Sequence, residues 1–237
     1  VRENGAVIQN WHHATITAGK FTAKGESGTI SIGAYNTGVN DGVTTISGGT
    51  FSAEKNAVFA AGVGGNAKGK LTVENGIFSG KMSSELMNSA YDTTFSGGEF
   101  TDDPAQYVAD GKVAIKFARA NKDGNYYVGT QEEIQEIANT AKDGDTIDVI
   151  KGSITLNMTT PGVNVNNDRS NEKGEVIVNG TPLNPGYGME IQKPATDPTK
   201  PSQDQAQKPS DTAKADKSAK TGDDFNLFAV GGVALAA

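Results

Sequence analysis

The chain has 237 residues, enough for one large domain or two small ones, and a formal net charge of −7. An acidic chain with only three Arg, none of them in a basic cluster, repels a phosphate backbone, so we expect no nucleic-acid partner. The absence of Cys excludes a disulfide framework and thiol chemistry. Its 30 Gly follow no three-residue period, which excludes a collagen-like fold.

A seven-residue unit recurs four times in the first 100 residues. Each copy reads Thr, a large apolar residue, a variable residue, a small residue, Gly, a variable residue and Phe. The copies occupy residues 15–21, 45–51, 72–78 and 94–100. Other short apolar stretches lie between them, at residues 29–32, 57–60 and, less clearly, 86–87.

The unit places two large apolar side chains five positions apart, and in a flat strand these would point to opposite faces. The intervening Gly can adopt a positive φ and bend the chain, so that both side chains point inward. We therefore expect each repeat to form one turn of a parallel β-helix, with turns stacked about 4.8 Å apart. Two internal ladders are predicted, one of Phe21, Phe51, Phe78 and Phe100, the other of Ile16, Ile46, Val73 and Phe95. An antiparallel sandwich explains short strands and Gly turns, but not the recurrent unit.

This unit resembles the pectin-lyase-like right-handed β-helices found in repeat-built surface proteins of gut Firmicutes and Actinobacteria. The resemblance extends through residues 100–111, whose Asp-Pro and Tyr-Val pairs are similar to those that close such a solenoid. It implies an all-β, right-handed parallel β-helix over residues 1–111. Locally, Asp103 is predicted to cap a short helical turn that begins at Pro104 and ends at Gly111.

Residues 112–192 read as a small α+β segment. A hairpin is predicted from residues 112–117 and 126–128, joined by an Asn-rich turn at 121–125. A helix near residues 131–142 follows the capping box Thr130–Glu133 and stops before Gly144. Strands are expected at 146–150, 153–157 and 175–179. The capped helix before Asp-Gly-Asp-Thr-Ile also resembles the entry element of a second β-helix.

The amino-acid composition of the chain changes after residue 192. Residues 193–220 are rich in Pro, Lys, Asp, Ser and Thr, so we expect a disordered, extended linker. Lys220-Thr221-Gly222-Asp223 and the uncharged run at 225–237 then resemble the cell-wall sorting signal of Gram-positive surface proteins. The departure from Leu-Pro-x-Thr-Gly is that Ser218 and Ala219 fill the Leu and Pro positions. A short buried segment or a frayed end is the alternative.

The resemblance to a sorting signal implies that a sortase cuts between Thr221 and Gly222 and joins the Thr221 carbonyl to peptidoglycan. It implies a cell-surface protein, anchored in the wall after a transient membrane stage. Residues 221–237 are interpreted as a truncated sorting signal and membrane segment, since the uncharged run at 225–237 is shorter than the roughly 20 apolar residues that a spanning helix needs. Because neither a secretion signal nor a terminal basic cluster is visible, we expect the chain to be a fragment of a longer protein.

The residues offer little support for catalysis, so we predict no catalytic residue, cofactor or metal. A uronate lyase needs a base beside a neutralised uronate carboxylate, usually with Ca²⁺ bound by clustered acids. The Lys residues of the repeats are scattered. A hydrolase needs facing carboxylates, and the adjacent pair Asp102-Asp103 is explained by capping. His12 and His13 point to opposite faces of a strand, which disfavours a shared metal. The Asn-rich stretches 121–125 and 164–168 are interpreted as turns rather than Ca²⁺ sites.

Three functional hypotheses follow. The first is an adhesin that binds glycans or proteins, with Trp11, Tyr35 and Tyr91 as the candidate contact residues, although these rings could equally pack over corners of the coils. The second is a passive spacer or coat element. The third is a polysaccharide lyase or glycoside hydrolase built on a β-helix.

Overall fold

A computed structural model describes residues 7–10, 12–24, 30–32, 42–61, 69–82, 91–120, 122–193 and 208–209. These residues are strand-rich, and their sheets are parallel or mixed, which places them in the all-β class. The predicted apolar stretch at 86–87, most of the linker and the whole of the 221–237 tail lie outside the described residues.

The repeats build three parallel sheets, to which successive repeats add strands in order. The first sheet contains β1 (Ile8–Asn10), β4 (Ile30–Ile32) and β7 (Phe59–Ala61). The second contains β2 (His13–Ile16), β5 (Gly42–Ile46), β8 (Gly69–Val73) and β10 (Tyr91–Phe95). The third begins with β3 (Lys20–Ala23), β6 (Thr50–Ala57), β9 (Ile77–Lys81) and β11 (Gly98–Phe100). We call β1–β11 the repeat stack. The antiparallel pairing that a sandwich requires does not occur between these copies of the unit.

Both predicted ladders are confirmed. The four Phe residues that end the units pair in register across β3, β6, β9 and β11, and the four apolar residues that precede them pair across β2, β5, β8 and β10. Phenyl rings of neighbouring repeats lie nearly parallel, with centroids 4.9 to 5.0 Å apart. The Gly before each Phe has the positive φ that the bend requires, between +110° and +138°.

Residues 101–112, which we call the closing segment, cover the last repeat. The predicted helical turn to Gly111 is wrong: a single 3₁₀ turn spans Ala105–Tyr107. It ends there because Val108 is extended (φ −65°, ψ 127°) and forms a parallel bridge with Phe95. The carboxylate of Asp103 accepts a hydrogen bond from Ala105 N–H at 2.9 Å, while Pro104 occupies the capping position. The ring of Tyr107 packs 5.2 Å from that of Phe95.

The rest of the described chain is a C-terminal unit of nine further strands and one helix. In chain order these are β12 (Val113–Ala118), β13 (Asn125–Gly129), α1 (Gln131–Ala138), β14 (Thr146–Lys151), β15 (Ile154–Leu156), β16 (Asn164–Asn167), β17 (Val176–Val178), β18 (Thr181–Leu183), β19 (Tyr187–Glu190) and β20 (Lys208–Pro209). The predicted hairpin is confirmed as β12–β13, and the predicted strands as β14, β15 and β17. Lys208–Pro209, within the predicted linker, pairs with β19.

The helix has the predicted capping box, in which Thr130 and Glu133 exchange hydrogen bonds. It ends at Ala138 rather than near residue 142. The chain tightens there, because Thr140 N–H donates to the Ile137 carbonyl and Ala141 N–H to the Ala138 carbonyl, each at 3.0 Å. These bonds span three residues instead of four and close the last turn.

The interpretation of residues 164–168 as an Asn-rich turn is wrong. Asn164–Asn167 is strand β16, which pairs in parallel with β14 and antiparallel with β19. The strand is possible because Val165 points into the core and the buried Asn167 is satisfied, its amide donating to the Leu183 carbonyl at 2.8 Å. A polar sequence thus forms a strand once its amides have partners in neighbouring segments.

One ten-stranded sheet joins the repeat stack to the C-terminal unit, in the order β3-β6-β9-β11-β13-β12-β14-β16-β19-β20. The two units bury opposite faces of this sheet. Ala114, Val128 and Ile150 pack with Phe100 in the core of the repeat stack. Their neighbours in sequence pack in a second core beneath α1, which includes Ile115, Val149 and Val165.

Candidate functional site

Of the five residues chosen from the sequence, the structure describes one. Trp11 and Tyr35 lie outside the described residues, as do Thr221 and Gly222. Tyr91 begins β10, where its backbone pairs with Gly69. The expectation that His12 and His13 point to opposite faces of a strand is wrong: β2 begins at His13, and the two exposed rings have centroids 4.2 Å apart.

Among the described residues, no three His, Asp or Glu side chains converge in a way that suits a metal ion. No helix among the described segments combines the length and apolar character required to cross a membrane.

A row of four polar side chains crosses the shared sheet beyond the repeat stack. Tyr126, Lys116, Asp148 and Asn166 occupy facing positions on the successive strands β13, β12, β14 and β16. The Lys116 ammonium lies 5.7 Å from the centre of the Tyr126 ring, and the Asn166 amide donates to the Asp148 carboxylate at 2.7 Å. The row continues the face that packs against Phe100, so the sheet face changes from apolar to polar where the repeats end.

Carboxylates surround this row. Burial raises the pKa of Asp148, the charge of Asp168 adds to that effect, and the Asn166 hydrogen bond and Lys116 charge oppose it. Burial also raises the pKa of Tyr126, followed by the charges of Asp103, Asp102, Asp148 and Asp168. The closing segment therefore brings two of its three acids, Asp102 and Asp103, close enough to act on Tyr126.

We expect the Asp148→Asn variant to be more stable, relative to the wild type, at pH 7 than at pH 3.5. A raised folded-state pKa means that stability is fully present below the unfolded pKa of about 3.9 and is lost as pH rises through the folded value. Asn can still accept the Asn166 hydrogen bond without carrying the buried charge. Urea unfolding at a series of pH values measures the difference.

Asp123→Asn, which removes an exposed carboxylate in a turn, controls for the change in net charge. A difference between wild type and Asp148→Asn that stays constant over this pH range would contradict the assigned burial of the charge.

The described residues also enclose a cavity of about 490 Å³, which we call the junction cleft. Three chain segments line it, at residues 109–112, 151–153 and 170–174. The first belongs to the closing segment, the second begins with the last residue of β14, and the third follows β16. The hydroxyl and the N–H of Ser170 both donate to the carboxylate of Asp168, at 2.7 and 2.8 Å, and the charge of Asp168 also acts on Asp148 of the polar row.

The walls of the junction cleft are tied together by buried amides. Asn171, only 2% exposed, donates both to the Gly152 carbonyl and to the Asn167 side-chain oxygen at 3.0 Å. Gly152 has a φ of +90°, and a Cβ there would collide with the Lys112 carbonyl oxygen. The close approach of the first two segments therefore requires Gly at this position.

Three lysines line the junction cleft, Lys112, Lys151 and Lys173, together with two exposed acids, Asp110 and Glu172. The ion pairs found among the described residues, Lys70–Asp92 and Arg119–Asp145, involve none of these three lysines. The residues that line the cleft thus carry one more positive than negative charge, on a chain that is acidic as a whole.

Comparison with known proteins adds no assignment: no protein-family model matches this chain, and neither a curated protein nor a solved structure is significantly similar to it. The candidate site therefore depends on its own geometry. Sequence reasoning missed the cleft because its segments are up to about 60 positions apart, and no spacing within any one of them signals a site.

Proposed function

We propose that this chain is a non-enzymatic bacterial surface protein that displays a binding module from the cell wall. In this proposal the repeat stack is a right-handed parallel β-helix. The observation that carries it is the sheet arrangement: the repeats feed three parallel sheets and stack identical Phe side chains in register. Within the stack each repeat buries its apolar face against its neighbours, as solenoid repeats do, and the last repeat also packs against Ala114, Val128 and Ile150.

The shared sheet supports a display role because its strands run continuously from the first repeats to the end of the C-terminal unit. Eight strand-to-strand steps separate β3 from β19, the last strand before residue 193. At about 4.8 Å a step, they span up to about 38 Å. A tether attached after β19 would therefore hold the first repeats away from the surface that carries it.

The sequence supplies such a tether. Residues 193–220 have the composition of an extended linker, within which Lys208–Pro209 pairs with β19, and Lys220-Thr221-Gly222-Asp223 stands at its end. A sortase would attack the Thr221 carbonyl, release the chain from Gly222 onward, and transfer the acyl group to a peptidoglycan amine. Thr221 is then a substrate position, and the nucleophile belongs to the sortase.

The junction cleft favours binding over a purely passive spacer, because its walls are fixed by buried amides and its lysines are not ion-paired to described residues. Catalysis is less well supported. Asp148 is only 5% exposed and accepts a hydrogen bond from Asn166, while Asp168 holds Ser170. Neither carboxylate is presented to a substrate as a glycosidase pair would be.

Thr221→Ala should abolish wall attachment. The chain would be produced in a sortase-bearing Gram-positive host, behind a secretion signal and with a membrane-spanning segment and basic residues added after Ala237. We expect the wild type in the wall fraction after muramidase treatment and Thr221→Ala in the membrane and medium. Thr212→Ala, in the same linker, is the matched control. Equal release of wild type and Thr221→Ala would reject the anchoring proposal.

A further inference from the structure

The structure points to a ligand class for the junction cleft. We propose that this cleft binds an anionic saccharide, that is, a sugar or polyol whose hydroxyl groups are accompanied by a carboxylate or a phosphate. The inference rests on the proposed binding function, but not on wall anchoring.

The size of the cleft suits such a ligand. Its volume of about 490 Å³ lies within the roughly 300–1,000 Å³ that is usual for small-molecule sites. It is lined by few apolar side chains and by many polar ones, so its chemistry favours a hydroxylated ligand over a hydrophobic one.

The charged side chains of the junction cleft favour an anionic ligand. Lys112, Lys151 and Lys173 bring three ammonium groups, each a donor of up to three hydrogen bonds, against the two carboxylates of Asp110 and Glu172. Among the lining residues themselves the balance is one positive charge, although Asp168 lies behind Ser170 and the whole chain is at −7. Lysines without an ion-pair partner among the described residues remain available to a carboxylate or phosphate.

The remaining polar groups suit sugar hydroxyls. Ser153 and Ser170 line the cleft, and the Ser153 oxygen accepts from Glu175 N–H at 3.0 Å while its hydroxyl hydrogen can be donated to a ligand. Ser170 is already oriented, because the Asp168 carboxylate accepts from its hydroxyl and leaves its oxygen lone pairs for a ligand hydroxyl. Asn171 fixes the loop that carries Ser170 and Lys173, so little conformational entropy is lost when a ligand binds.

Calorimetric titration of the soluble chain tests the proposal with three defined probes. A glucuronate-containing disaccharide supplies the carboxylate, a glycerol-phosphate trimer supplies the phosphate, and cellobiose is the neutral comparison. We expect at least one charged probe to bind measurably and cellobiose to bind at least tenfold more weakly. The stronger of the two charged probes identifies whether the natural source is a uronic acid or a phosphodiester polymer.

Variants locate the binding in the cleft. Lys151→Ala and Lys173→Ala should each weaken the charged probe about three- to tenfold, the range expected for an exposed charge-assisted contact. Glu172→Gln should strengthen it about twofold, because it removes a repelling charge at the rim. Lys122→Ala, an exposed lysine outside the cleft, is the control and should not change binding.

Several outcomes would overturn the inference. They are failure of the wild type to bind either charged probe, equal binding of cellobiose, or wild-type affinity in both Lys151→Ala and Lys173→Ala. Binding that survives both cleft variants would still leave a binding module with its site elsewhere. If the wild type is found in the wall fraction but binds no saccharide, the proposal of cell-wall display is unaffected and only the proposed ligand class is rejected.

Discussion

Phe51→Ala should destabilise the repeat stack by about 3–5 kcal/mol, the usual cost of removing a buried phenyl ring and leaving a cavity. Phe51 is fully buried, and its ring lies between those of Phe21 and Phe78, at 4.9 and 5.0 Å. No neighbour can fill the gap easily, because each ring is held by its own strand in register. The change in free energy of unfolding is measured by urea denaturation, provided that the slope of the transition is unchanged.

Phe21→Ala is the matched control within the same ladder. Phe21 is half-buried and stacks on one described ring, that of Phe51. Its loss should cost less than that of Phe51, about 1–3 kcal/mol, because less apolar surface leaves a packed environment. Equal and small effects of the two substitutions would show that the rings do not form a packed interior ladder.

The ladders could be predicted because the sequence repeats the same unit four times, each with two large apolar residues five positions apart and a Gly between them. Any single Gly before a Phe is weak evidence for a bend, but the same spacing at Gly49, Gly76 and Gly98 requires one common geometry. The capping box was equally predictable, since Thr130 and Glu133 are three residues apart and interact locally. Both features are determined by short-range sequence.

The errors concern residues whose conformation depends on distant partners. Asn167 lies in a strand because the Leu183 carbonyl accepts its amide hydrogen, and no local pattern indicates that bond. Val108 ends the 3₁₀ turn because it pairs with Phe95, 13 positions earlier. The junction cleft is likewise assembled from three separated segments. The shared sheet, which mixes parallel and antiparallel pairs, could not be foreseen from strands considered one at a time.

Asp145→Ala should destabilise the C-terminal unit by about 1–3 kcal/mol, since it removes a buried carboxylate that accepts three hydrogen bonds from residues at the surface. Asp145 is 3% exposed and accepts three hydrogen bonds, from Lys142 N–H at 2.8 Å, Arg119 Nη1 at 2.9 Å and Ala120 N–H at 3.0 Å. These bonds connect the end of β12 to the turn before β14. Asp143→Ala removes a nearby exposed carboxylate and should have little effect.

The effect of Asp145→Ala should depend on pH in a direction opposite to that of Asp148→Asn. Burial by itself raises the pKa of Asp145, but the hydrogen bonds from Lys142, Arg119 and Ala120 and the Arg119 charge outweigh it, and the pKa is lowered. The stabilisation is therefore present above the unfolded pKa of about 3.9 and is lost as pH falls through the folded value. Urea unfolding should show the gap between wild type and Asp145→Ala narrowing below about pH 4. A gap that widens on acidification would mean that the carboxylate is not held as an ionised acceptor.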